Sequence, residues 1–149
     1  SSDLITIPIF EREEQIEEVH KLFISIDKDG NQVLDKSEIK VLLKKLNFPK
    51  DMNYVELIFL IYDPGKKGAI DFCNFLTFIK DCAKIKTNPN YFPMKMFIAF
   101  DTDGSGVLEG DELIPAFKIM KKKVDKKKVK KMKMTFPEFI KYVKENTDM

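Results

Sequence analysis

Tryptophan is absent from these 149 residues, histidine occurs once, as His20, and cysteine twice, as Cys73 and Cys82. Each shortage excludes something. A lone histidine has no second imidazole to share a metal or a proton with, so His20 reads as a solvated helix residue. With no nucleophile spaced from a base, no glycine-rich phosphate loop and no zinc pattern, the chain is not expected to be an enzyme. The cysteines stand nine positions apart in one expected helix. That is roughly 13 Å of axial rise, too far for a disulfide, and two free thiols suit a reducing compartment, the cytoplasm or the nucleus. No apolar run approaches the roughly 20 residues that span a bilayer, and the opening SSDLITIPIF has neither a basic n-region nor a long apolar h-region. The six Gly and seven Pro are scattered, which argues against a collagen-like repeat or extensive disorder.

What is present is apolar and patterned. A hydrophobic content of 44% with 13 Phe can supply a real core in one ordinary domain or two small lobes. The formal charge of +2 hides an asymmetry, because residues 121–133 hold nine of the 26 basic side chains and the rest of the chain is acidic.

A repeat organises the sequence. The segments DKDGNQVLDKSE (27–38), DPGKKGAIDFCN (63–74) and DTDGSGVLEGDE (101–112) begin 36 and 38 residues apart. Each lies between apolar residues at helical spacing. Ile16, Val19, Leu22, Phe23 and Ile26 precede the first, and Ile39, Leu42, Leu43 and Leu46 follow it. Leu57, Ile58, Leu60 and Ile61 precede the second, and Phe72, Phe75, Leu76, Ile79 and Cys82 follow. The third has Met96, Phe97 and Phe100 before it, then Leu113, Ile114, Phe117 and Met120. Between the second and third units, KIKTNPNYFP carries two prolines and no helical period, which places a lobe boundary there.

The segments have the spacing of a hard-cation loop. Ca²⁺ takes six to eight oxygens, and twelve residues can offer them from positions 1, 3, 5, 7, 9 and 12. In the third segment these are Asp101, Asp103, Ser105, the Val107 carbonyl, Glu109 and Glu112, with Gly106 where the backbone turns through positive φ. In the first they are Asp27, Asp29, Asn31, the Val33 carbonyl, Asp35 and Glu38. There Gln32 replaces the glycine and is expected in a left-handed conformation, at a cost of roughly 1–2 kcal/mol, so this site is expected to bind more weakly. The second segment loses its ligands: Gly65 has no side-chain oxygen, Lys67 brings an ammonium and Asn74 cannot chelate with two oxygens. It is expected to stay empty, with Ala69 and Ile70 pairing as a short strand with Val33 and Leu34.

The lysine-rich stretch ends in MTFPEF, which aligns with VLEGDEL and VLDKSEI and puts Met134 and Glu138 at the eighth and twelfth positions of a fourth segment, 127–138. Lys127, Val129 and Lys131 then stand at positions one, three and five, so no calcium is expected there. Glu112 and Glu138 are 26 residues apart, about ten short of the repeat, which predicts half a unit without its first helix. Met134 is expected beside Leu108, with a helix from about Pro137 that buries Phe139, Ile140 and Val143. The lysines read either as a solvated, relaxed loop or as a basic patch for the phosphates of nucleic acid or an anionic membrane. No arginine and no aromatic residue is interleaved among them, so base readout or stacking has no evident means.

These segments resemble the EF-hand family in its calmodulin and troponin C-like branch, and EREEQIEEVHKLFISIDKDG is similar to the start of the first hand there. The resemblance runs from about Phe10 over nearly the whole chain and departs at Gln32, throughout the second loop and in the shortened fourth unit. It implies an all-α, two-lobed fold of paired helix–loop–helix units with short antiparallel pairing between loops. The lobes would be 1–84 and 93–149, with a linker at 85–92 and the reduced fourth unit at 121–146. It also implies a calcium-binding regulatory protein with two Ca²⁺ sites, for which Mg²⁺ at rest is the open alternative. Calcium would recruit Glu38 and Glu112, change the interhelical angle and expose an apolar groove for an amphipathic target helix. Phe97, Phe100, Phe117 and Met120 are groove candidates that suit permanent core equally well. A light-chain-like subunit held constantly on its target, and a calcium-regulated binder of nucleic acid or anionic lipid through 121–133, are the competing readings.

Overall fold

The computed structural model describes residues 13–149; the reading of the opening SSDLITIPIF and the start of the resemblance at Phe10 fall outside them. The described residues form eight α-helices and one two-stranded antiparallel sheet, and they divide into two compact units. One takes in the described residues up to Phe48 together with Tyr54–Asn88; the other takes in Pro49–Asn53 and Pro89–Met149.

The first unit holds α1 (Glu13–Ile26), α2 (Lys36–Lys45), α3 (Tyr54–Tyr62) and α4 (Phe72–Ile85). Helix α2 starts where the sequence provides a reciprocal cap. Asp35 Oδ1 accepts from the Glu38 N–H at 2.9 Å, and Glu38 Oε1 accepts from the Asp35 N–H at 3.0 Å, which satisfies two of the N–H groups that a helix start leaves open. Asp71 caps α4 through the Asn74 N–H at 2.8 Å. The core is made by Val19, Phe23 and Ile26 of α1, Ile39 and Leu42 of α2, Leu57 and Ile58 of α3, and Phe75, Phe78 and Ile79 of α4. Phe23 meets Phe75 edge to face at 5.4 Å, the geometry that the ring quadrupole favours.

Helix α3 departs from its expected face. Tyr54, Leu57, Ile58, Phe59 and Tyr62 are buried, whereas Leu60 and Ile61 are half-buried. YVELIFLIY is apolar around almost its whole circumference, so periodicity could not choose a side. What selects it includes a polar pair: the Tyr62 hydroxyl donates to the buried Asp81 carboxylate on α4 at 2.7 Å. The two loops of this unit meet in a single antiparallel bridge, Leu34 with Ile70, narrower than the two-residue pairing expected of Val33–Leu34 and Ala69–Ile70.

The second unit holds α5 (Tyr91–Phe100), β1 (Val107–Glu109), a 3₁₀ turn (Gly110–Glu112), α6 (Leu113–Ile119), α7 (Lys126–Val129), β2 (Lys133–Thr135) and α8 (Phe136–Asn146). Leu108 pairs with Met134 in register. The first helix of the reduced unit has shrunk to the four residues of α7. Thr135 and Glu138 cap α8 reciprocally, with Pro137 in its first turn, and Phe139, Ile140 and Val143 are buried. Phe139 lies fully buried against Phe97 and Phe100, with ring centroids 5.8 and 6.3 Å away. Pro49–Asn53 is held within this unit by the Asn53 N–H, which donates to the Ile119 carbonyl at 2.8 Å, and by the Asp148 N–H, which donates to Asp51 at 2.6 Å. Among the described residues no helix is long and apolar enough to cross a membrane.

Candidate metal centre

Two acidic groups stand out among the described residues. Asp27, Asp29 and Glu38 form one and Asp101, Asp103 and Glu112 the other, each offering oxygens that all lie within 4.8 Å of one another. Like charges this close repel, so each group needs compensation from N–H donors or from a cation.

In the first loop, the Gln32 N–H donates to Asp27 Oδ2 at 2.8 Å. Gln32 holds φ at 68° to do so, the strained conformation expected of it. Glu38 is buried; its Oε2 accepts from the Lys28 N–H at 2.8 Å, and its Oε1 serves the cap of α2. Asn31 turns its side-chain oxygen to the Val33 N–H at 3.2 Å. Asp35 is committed differently from the gathered three. Its Oδ1 accepts from the Ser37 hydroxyl at 2.7 Å and from the Glu38 N–H, and the Ser37 bond, with the Glu38 N–H, holds its carboxyl below the usual range. One atom is left over. Asp27 Oδ1 is buried and is the one such side-chain atom without a hydrogen-bond partner among the described residues. A buried acceptor without a donor costs about 1–3 kcal/mol, more when it is charged. An all-oxygen donor set with one oxygen wanting a positive partner fits a hard cation such as Ca²⁺.

The third loop closes on itself more fully. Asp101 accepts from the Ser105 N–H at 3.1 Å and the Gly106 N–H at 2.9 Å, and Gly106 has φ at +81°. The Ser105 hydroxyl donates to the Val107 carbonyl at 2.8 Å and lies 3.3 Å from Asp101 Oδ1, which sets three of the expected oxygens side by side. Asp103 accepts from the Ser105 N–H at 3.0 Å, and this bond holds its carboxyl below the usual range, ionised at neutral pH. Glu112 folds back with Oε2 toward the Asp103 N–H at 3.2 Å and Oε1 toward the Glu109 N–H at 3.0 Å. Glu109 completes the reciprocal cap by accepting from the Glu112 N–H and is not among the gathered carboxylates.

The second loop has the same backbone and another outcome. Gly68 keeps φ at +76°, but the two oxygens of buried Asp63 accept from the Lys67 N–H at 3.1 Å and the Gly68 N–H at 2.8 Å. Asp63 is satisfied by its own loop. The fourth segment is not a loop over its first half: Val129 is buried within α7, and Glu138 takes the Thr135 N–H at 3.0 Å and the Thr135 hydroxyl at 2.8 Å. His20 is exposed and meets Phe72 edge to face at 4.9 Å.

Sequence reasoning missed two features. Lys130 lines the same surface cleft as Asp103, Glu109, Asp111 and Glu112, and the third unit's tenth residue, Gly110, touches the lysine stretch. The Gly110 N–H donates to the Met132 carbonyl at 3.1 Å, and a Cβ at Gly110 would come 3.0 Å from the Lys130 carbonyl oxygen. The glycine itself was the available signal.

Residues 16–80 match the family model described as an EF-hand domain pair. Among curated proteins, the chain is 32% identical over 102 residues to the mitochondrial adenyl nucleotide antiporter SLC25A24 of Bos taurus, covering 66% of this chain and 19% of that protein. It is 31% identical over 105 residues to calcium-dependent protein kinase 33 of Arabidopsis thaliana, covering 70% and 20%. With mitochondrial substrate carrier family protein C of Dictyostelium discoideum it shares 34% over 101 residues, covering 67% and 20%. The matched region spans about a fifth of the length of these relatives.

Proposed function

We infer, from the premise that residues 16–80 are an EF-hand domain pair and calcium binding its family property, that this chain is a calcium sensor. It takes up two Ca²⁺, at 27–38 and 101–112, and presents apolar surface to an amphipathic helix of a protein target. The observation that carries the reading is the pair of carboxylate groups of matching position, one of which leaves Asp27 Oδ1 buried without a partner. Bound calcium would supply a divalent charge for these carboxylates to share.

The chain's own residues turn that sharing into movement. Asp27 directly follows α1 and Glu38 lies in the first turn of α2; Asp101 follows α5 and Glu112 precedes α6. Any change in the spacing of each pair therefore changes the angle between its two helices. Phe97, Phe100, Phe117 and Met120 are buried in this conformation, so they act as core here and become groove only when α5 and α6 separate. The thiols, free Cys73 and Cys82, support placing the protein in the cytoplasm or nucleus. Mg²⁺ at the same oxygens is the resting alternative, held back by its demand for a tighter octahedral shell.

The test is a calcium titration of the chelator-stripped protein in about 1 mM Mg²⁺, Mg²⁺ being the competitor for such sites, read by calorimetry and by the fluorescence of ANS. Uptake of two ions with a rise in dye fluorescence is the expected result. No uptake overturns the reading, and uptake with flat fluorescence replaces the sensor by a constitutive, light-chain-like subunit.

A further inference from the structure

We propose that the lysine stretch 121–133 is a docking surface for anionic phospholipid, and that calcium uptake at the third loop strengthens it. The lysines are not tied up in ion pairs. Lys123, Lys126, Lys127, Lys128 and Lys131 are exposed, and among the described residues none of them is in such a pair. The stretch's one acid, Asp125, is occupied in capping α7 through the Lys127 N–H at 2.9 Å.

The stretch is also held in place. Val129 is buried, β2 pairs with β1, and the Gly110 N–H binds the Met132 carbonyl. This fixes the lysines beside the acidic third loop, whose Asp103, Glu109, Asp111 and Glu112 share a cleft with Lys130. Those carboxylates offset part of the lysine field, as opposite charges that share one cleft do. Two added positive charges at Asp101, Asp103 and Glu112 would reduce that offset and raise the positive potential of the patch. This coupling rests on the calcium uptake proposed above; the basic surface itself does not.

A bilayer suits the surface better than nucleic acid. The stretch offers lysine point charges without arginine or aromatic side chains, which serve diffuse headgroup attraction and not base readout. Val124 within the stretch and Phe136 just beyond it add apolar surface, being among the exposed large hydrophobic side chains, at 39% and 36%.

The experiment is co-sedimentation of the full chain with vesicles of phosphatidylcholine alone or with about one third phosphatidylserine, the anionic lipid whose attraction to each nearby lysine sets the scale. Each is run in chelator and in calcium. The expected result is binding to the anionic vesicles alone, tightened on the order of fivefold by calcium, with the same factor appearing as tighter calcium binding when vesicles are present. The variant carrying Lys126→Gln, Lys127→Gln, Lys128→Gln and Lys131→Gln should lose about a hundredfold or more in partitioning, while its circular dichroism and the number of calcium ions it takes up stay as in the parent. Undiminished binding by this variant, or binding equal in chelator and calcium, overturns the proposal. So does tighter binding to single-stranded DNA than to vesicles at equal phosphate, which would make the patch a nucleic-acid surface. Calcium uptake measured without vesicles separates the two readings. Its failure overturns the proposed function and the coupling together, whereas uptake without calcium-strengthened vesicle binding overturns this inference alone.

Discussion

Gln32, with φ at 68°, occupies the position that Gly68 and Gly106 fill with φ at +76° and +81°. All three turn an N–H onto the first aspartate of their loop, at 2.8 to 2.9 Å, but only Gln32 does so against the clash of its own Cβ. Gln32→Gly removes that strain and should raise the affinity of the first site by about fivefold to thirtyfold, measured by calorimetry with the third site disabled. The thiols offer a second residue-scale check. Burial, with the adjacent Asp81 charge, pushes Cys82 up to about 12, whereas Cys73 is exposed. A thiol reagent such as DTNB should therefore modify Cys73 in the native chain and reach Cys82 only after denaturation. Because the folded thiol titrates above the unfolded one, its contribution to stability is full below the ordinary 9.0 and is lost as pH rises toward about 12. The urea midpoint should fall between pH 8 and pH 10.5 more steeply for the parent than for Cys82→Ala.

The boundaries of α2 and α8 follow from one local device. The ninth and twelfth positions of a loop are also the N-cap and third residue of the helix that follows, so Asp35 with Glu38 and Thr135 with Glu138 form reciprocal caps. The fourth segment keeps this half of the pattern after losing its other ligands, which separates the structural role of the glutamate from its metal role. Bonds from the Thr135 N–H and hydroxyl hold the Glu138 carboxyl below the usual range, as a charge at a helix N-terminus should be. Thr135→Ala should cost about 1 kcal/mol, read as a lower urea midpoint without loss of calcium uptake. Element faces were legible where polarity contrasts along the helix, as in α8, and illegible in α3, where nearly every residue is apolar and a buried Tyr62–Asp81 bond helps choose the side.

Across the whole molecule, the two units each carry one gathered carboxylate group, so ion stoichiometry can be dissected. Glu38→Gln and Glu112→Gln keep a residue able to close the cap while removing a chelating charge. Each should reduce uptake from two ions to one in calorimetry, and the double variant to none; Glu112→Gln should leave the weaker site, because the remaining loop contains Gln32. The sequence by itself determined the repeat, the helix–loop–helix units, the pairing of Leu108 with Met134, the left-handed Gln32 and the reduced fourth unit. All of these depend on residues close in the chain, or on a spacing that recurs, and so leave a periodic trace. Tertiary structure alone decided the buried face of α3, the unpartnered Asp27 Oδ1, the grouping of Pro49–Asn53 with the second unit, and the seating of Lys130 against the third loop. Each of these depends on which groups remain unsatisfied once distant segments have packed, and packing distances between such segments have no period along the chain.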